Sequence, residues 1–269
     1  MNICLSEATT MTATFAEDVA ACAGGGVPAL EVWLTKLETH LQSHSADDTR
    51  KLLSDRGVTL AGAAYQGGLL LSQGVQRKAH FDDFRRRLEL CQGFGIGTLL
   101  VVADFVQSVD PTALERSVVS LAQAAHWAAG FGVRLALEFR GANTFCASLD
   151  TAVRLVEACG EPNVGVCFDV FHYYKGPSKC EDLNLLTPRN LAWVQVSDLA
   201  GVPRELATDA DRILPGDGDL PLTPLLRKLR ERGYDGWVSL ELLNPTLWQS
   251  KPTQVAELGA AALRRVLPV

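Results

Sequence analysis

Short apolar runs alternate with amphipathic stretches from one end of the chain to the other. The runs, rich in Val, Leu, Ala and Phe, predict buried strands at roughly 2–6, 28–34, 58–65, 98–103, 133–139, 163–169, 190–197 and 236–243. Between them, apolar positions recur at helical spacing. TFAEDVAACA, ADDTRKLLSDRG, HFDDFRRRLELCQGFG and PTALERSVVSLAQAAHWAAGFG are the clearest helical segments, followed by LDTAVRLVEACG, LTPLLRKLRERG and PTQVAELGAAALRRVL. Gly57, Gly132, Gly160 and Gly233 stand where a left-handed cap would close a helix before the next strand. Pro111 and Pro224 suit the first turns of their helices.

Eight strand-then-helix units within 269 residues predict an α/β fold, a (β/α)8 TIM barrel occupying residues 1–269 as a single domain. The sixth unit is the weakest, because FHYYKGPSKCEDLNLLTPRN is too polar and broken for one clean helix. It reads as a loop plus a short helix. The seventh connection, DLAGVPRELATDADRILPGDGDL, is long and rich in Gly, Pro and Asp, as functional loops in compact domains are. A doubly wound open sheet is the other fold compatible with the alternation. It is disfavoured because no Gly-rich phosphate turn follows the first strand, Gly24, Gly25 and Gly26 ending a helix instead.

Apolar residues make up 47% of the chain, enough for a large core, and the net charge is −6. That balance argues against a general nucleic-acid or membrane binder. Seven cysteines without a C-x-x-C pair, several inside apolar patterns, read as free thiols in a reducing cytoplasm. No basic-then-apolar leader and no membrane-length apolar run is seen.

The chemistry concentrates at strand ends. Glu138 in RLALEF, Asp169 in VGVCFD, Gln195 in LAWVQVSD and Glu241 in GWVSLEL stand at or just inside the ends of four successive apolar runs. A buried carboxylate there is costly unless a cation meets it, and catalytic groups of such barrels come from the C-terminal strand ends. Three carboxylates and an amide oxygen form a hard, all-oxygen set that suits one divalent metal ion, Mn²⁺ or Mg²⁺, better than structural Zn²⁺. Taken singly, each residue also fits a helix cap or an arginine pair, and Arg140 is placed to pair with Glu138. His172, three residues after Asp169, is the one histidine of five at a strand end, suited to substrate oxygens or proton transfer. Arg212 in the seventh loop can grip a hydroxyl, carboxylate or phosphate, or pair with Asp209 or Asp211. Gln66 is a weaker candidate for a substrate hydroxyl, and Glu31 and Trp33 in LEVWL are weaker still. Trp33, Phe105, Phe171 and Trp248 fit either an apolar wall for a sugar ring or core.

LALEFRGANTF, PNVGVCFDVFH, LAWVQVSD, RILPGDGDLPL and GYDGWVSLEL together resemble the sugar phosphate isomerase/epimerase group of xylose isomerase-like TIM barrels, over nearly the whole chain. The resemblance implies that Glu138, Asp169, Gln195 and Glu241 are metal ligands and that Glu138 and Glu241 are also the catalytic acid/base pair. It puts His172 and Arg212 against substrate oxygens and allows a homodimer. Many members carry His where this chain has Gln195. Glutamine there is also similar to the dehydratase branch, which acts on inososes and 3-dehydroshikimate.

Both branches begin with a carboxylate removing the proton next to a carbonyl to give an enediolate whose charge a divalent ion stabilises. The leading expectation is therefore a metal-dependent isomerase or epimerase of a ketose-like sugar or polyol. The alternatives are a dehydratase of a cyclic polyhydroxy ketone and a non-catalytic metal- or sugar-binding barrel. An apurinic endonuclease would need clustered histidines and a basic face, which this chain lacks.

Overall fold

The predicted runs form strands because both of their faces are buried, which is what a parallel strand walled in by helices requires. The computed structural model describes residues 1–268. Strands β1 (Asn2–Ser6), β2 (Ala29–Trp33), β3 (Thr59–Gln66), β4 (Thr98–Val102), β5 (Arg134–Glu138), β6 (Val164–Asp169), β7 (Leu191–Val196) and β8 (Trp237–Leu240) follow chain order around a closed barrel. Closure decides for the (β/α)8 architecture and against the open, doubly wound sheet.

The helices are α1 (Phe15–Gly25), α2 (Leu34–His40), α3 (Ala46–Arg56), α4 (Gly74–Phe94), α5 (Ala113–Ala129), α6 (Leu149–Cys159), α7 (Val170–Lys175), α8 (Leu222–Glu231) and α9 (Pro252–Val266). Three details depart from the sequence pattern. The short helix α2 was not anticipated. Pro111 lies ahead of α5 rather than in its first turn, because Asp110 takes the backbone N–H and hydroxyl of Thr112 at 2.8 and 2.7 Å and holds a local turn there. Glu241 is the first residue beyond β8, not part of it. The weak sixth unit is α7, which starts directly after Asp169, followed by a 3-10 turn at Cys180–Leu185.

By internal packing the chain divides into two units. The first comprises Met1–Ala63, Gln195–Glu231 and the segment from Asp235 on. There β1 pairs with β2, setting Ser6 opposite Glu31, and with β8, setting Leu5 opposite Leu240. The Thr9 hydroxyl donates to Leu240 O at 2.9 Å and accepts from Leu242 N at 3.0 Å, so it brackets Glu241 from both sides. Helix α1 opens with a capping box between Thr14 and Glu17 and packs on α9. A Cβ at Gly25 would fall 2.7 Å from Ala256 Cβ, so the two helices approach only with glycine there.

The second unit comprises Ala64–Val194 and Arg232–Tyr234. Its register places Val102 of β4 opposite Glu138, and Glu138 opposite Cys167 of β6. The loop after β5 closes against the end of α7, where a Cβ at Gly141 would lie 2.6 Å from Gly176 N. That backbone contact presses the segment after Glu138 onto the helix that carries His172. No helix among the described residues is long and apolar enough to cross a membrane.

Candidate active site

The second unit gathers Glu138, Asp169 and His172, all buried, with one ligating atom from each lying within 4.8 Å of the others. Glu138 ends β5 and Asp169 ends β6. Asp169 is also the N-cap of α7: its Oδ1 accepts the His172 backbone N–H at 2.9 Å. This cap fixes the first turn and aims the imidazole back towards β5, where His172 Nε2 lies 3.3 Å from Glu138 Oε1. The Phe171 ring stands edge-on to the imidazole at 5.3 Å. Arg140 reaches Glu138 only at 3.9 Å and is about one-third exposed, so it is a peripheral partner. Two buried carboxylates and an imidazole in this space are a donor set that fits a divalent transition metal. Here His172 stands beside the acidic pair.

The first unit gathers Gln195, Glu241, Arg212 and Glu31. Gln195 Nε2 donates to Glu31 Oε1 and to Glu241 Oε1, both at 2.9 Å. Arg212, fully buried, donates from Nη1 to Glu241 Oε2 at 3.1 Å, and from Nε and Nη2 to Asp209 Oδ1 at 3.0 and 2.7 Å. Of the two sequence readings of Arg212, the Asp209 pair is the one the structure contains; its remaining bond goes to the protein's own Glu241. Asn244 Nδ2 steadies the Arg212 carbonyl at 2.9 Å. Burial first, and then the Glu31 carboxylate, push the Cys4 thiol well above its usual range.

The remaining candidates separate. Gln66 is buried, but its amide donates to Gly67 O at 2.8 Å and accepts from Arg87 Nη1 at 3.4 Å, which ties it to its own loop and to α4. Phe171 is core. Trp248 gives its indole N–H to Ala8 O at 3.0 Å, and Phe105 is 76% exposed. Phe105 lines a cavity of about 610 Å³ together with Tyr65, Gly68, His80 and Asp104. Val102 and Ala103 form part of its wall, and Ala103 N donates to the Glu138 carbonyl at 3.0 Å, so the cavity opens beside β5.

Sequence reasoning underrated Glu31 and missed Ser6, Asp104 and Asp198. Asp198, buried, collects the N–H groups of Leu199, Gly216, Gly218 and Leu220 at 2.8–3.1 Å, so it ties down the PGDGD segment that follows Arg212. Asp104 does the same for the loop after β3, accepting from Gly68, Leu70 and Leu71 at 2.6–3.2 Å. An acid inside the apolar run LEVWL carried the same signal as the four singled out.

Comparison with known proteins agrees with this architecture. The inosose isomerase of Halalkalibacterium halodurans is 27% identical over 258 residues, covering 93% of this chain and 90% of the relative. The putative hydroxypyruvate isomerase of Streptomyces coelicolor is 28% identical over 246 residues, covering 84% of each. Among solved structures, the IOLI protein with a bound zinc atom superposes with a TM-score of 0.94 at 24% identity, covering 99% of this chain and 98% of that one. At that identity the likeness speaks for the fold. Residues 19–266 match the model of the xylose isomerase-like TIM barrels, and the chain belongs to that family.

Proposed function

We propose that residues 1–269 act as one catalytic domain, a metal-dependent sugar isomerase/epimerase whose substrate is a cyclic polyhydroxy ketone of the inosose type. The observation that carries this reading is the buried Glu138–Asp169–His172 cluster in a chain that aligns over nearly its whole length with inosose isomerases. Glu138, Asp169, Gln195 and Glu241 would hold the ion, with His172 beside Glu138 and Asp169. The carboxylates suit Mn²⁺ or Mg²⁺, and the neighbouring imidazole widens the choice to Zn²⁺. When bound, the ion supplies Lewis-acid polarisation of the substrate carbonyl.

The side chains supply the rest. Glu241 accepts N–H bonds on both oxygens, from Gln195 and Arg212, which hold the carboxylate in place, and as the base it removes the proton next to the carbonyl. The C–H electron pair becomes the double bond of an enediolate as the carbonyl pair moves onto oxygen. Glu138, with His172 Nε2 at 3.3 Å, delivers a proton to the former carbonyl carbon. The proton of the neighbouring hydroxyl passes to the former carbonyl oxygen, so the carbonyl re-forms one carbon along. Exchange with solvent returns both carboxylates to their starting states. Arg212 holds a substrate hydroxyl as well as Glu241. Seven cysteines outside any disulfide among the described residues, only Cys180 being exposed, suit a reducing cytoplasm.

The test is solvent exchange. Mn²⁺-loaded protein incubated with an inosose in D₂O is expected to place deuterium next to the carbonyl, and Glu241→Gln to abolish it. Release of an unsaturated product by loss of water would instead assign the chain to the dehydratases. Binding without exchange would remove the catalytic reading.

A further inference from the structure

Glu31 is a fully buried carboxylate with no place in the acid/base scheme above. It sits in β2, opposite Ser6 of β1, whose hydroxyl donates to Glu31 Oε1 at 3.0 Å. The same oxygen accepts the Gln195 amide at 2.9 Å. Gln195 in turn spends its Nε2 on two carboxylates, Glu31 and Glu241. An amide NH₂ has two hydrogens, and this arrangement uses both. Turning the amide over would set its carbonyl oxygen against two carboxylates, exchanging two attractive contacts for two repulsive ones. The pairing therefore decides which end of the amide faces inward. The carbonyl oxygen occupies the other corner of the planar group.

From this geometry we infer that Glu31 is a positioning residue: buttressed by Ser6, it locks the Gln195 amide so that Nε2 faces the acids and Oε1 is presented as the oxygen donor to the divalent ion. A buried carboxylate that receives the second hydrogen of a ligand side chain is the outer-shell device by which proteins orient metal ligands. Here it is applied to an amide, at a position where the family resemblance leads one to expect histidine. The consequence for the metal rests on the function proposed above, whereas the locking of the amide does not.

The test separates the two. In ¹⁵N-labelled metal-free protein, the Gln195 side-chain NH₂ signals, assigned by their loss in Gln195→Glu, are expected to be dispersed and slow to exchange with solvent. In Glu31→Leu, which removes the acceptor at similar volume, they should collapse towards the position of a free glutamine and exchange rapidly. Mn²⁺ affinity, read by competition with a fluorescent chelator, should fall about 10–100-fold. Glu31→Gln keeps an acceptor without the charge and should give an intermediate loss, which keeps the claim testable where Glu31→Leu does not fold. Unchanged Gln195 signals in a folded Glu31 variant would overturn the inference. So would an altered amide with Mn²⁺ affinity within about twofold of the parent, since the amide would then be locked for no metal-binding purpose. If the parent protein binds no divalent ion at all, the proposed function fails, and the locking of the amide is judged on the NMR signature alone.

Discussion

Arg212→Met in the metal-free protein is the sharpest probe of the electrostatics around Glu241. The guanidinium is about 1% exposed and the Glu241 side chain about 7%, so neither charge is relieved by solvent. Methionine keeps most of the volume but deletes the Nη1 bond to Glu241 and both bonds to Asp209. Asp209 is about one-third exposed and can recover water, so most of the cost falls on Glu241. Removing one partner of a buried ion pair typically costs about 3–5 kcal/mol. For a chain of this length that corresponds to a fall in Tm of roughly 6–20 °C, at about 2–4 °C per kcal/mol. Calorimetry or far-UV CD melts in EDTA measure it directly. The double variant Arg212→Met/Glu241→Gln should recover part of the loss, because the charge left behind is gone, with a coupling of about 1–3 kcal/mol. A single-variant shift below about 2 °C, or a double variant that is merely the sum of its parts, would refute the claim that Arg212 neutralises a desolvated carboxylate.

Three further outcomes are expected. Glu7 is fully buried, and burial first, then the neighbouring Asp18 carboxylate, push its pKa well up, against the pull of Lys36. Its Oε2 accepts Trp33 N–H at 2.6 Å, and a proton on Glu7 serves the side-chain hydrogen bond that links it to Asp18. A raised native pKa adds stability that is complete below the unfolded value of about 4.3 and is lost as pH rises through the native value. Urea midpoints between pH 5 and 9 should therefore fall less steeply in Glu7→Gln than in the parent, and a parallel profile would sink the assignment. Asp198→Asn sets an NH₂ against the Gly216 and Gly218 donors and should cost about 2–4 kcal/mol, with faster proteolytic cleavage within 199–221; unchanged cleavage would deny Asp198 its role in the loop. Mn²⁺ at a hundred times its Kd should stabilise the parent by about 2.7 kcal/mol, and Asp169→Asn should lose most of that gain.

The strand ends were legible because a carboxylate closing an apolar run conflicts with its surroundings, and the conflict is visible locally. Helix α2 was not, because LTKLETH is only seven residues long and its apolar positions make a single i, i+3 pair. Gln66 looked available for substrate because Arg87, which bonds to it, lies 21 residues away. Glu31 was underrated for the same reason: its partners Ser6 and Gln195 are 25 and 164 residues distant, and only barrel register brings them to it. Local pattern reports that a polar group must be satisfied, but the partner that satisfies it is set by topology.

The function proposed above requires one divalent ion with Glu138, Asp169, Gln195 and Glu241 as its ligands. The most direct measurement is anomalous scattering from crystals of the parent protein and of Asp169→Asn, grown with excess Mn²⁺. A single strong peak per chain within bonding distance of those oxygens, absent in the variant, is the predicted result. No peak at Glu138 and Asp169 in the parent, or an equal peak in both proteins, would contradict it.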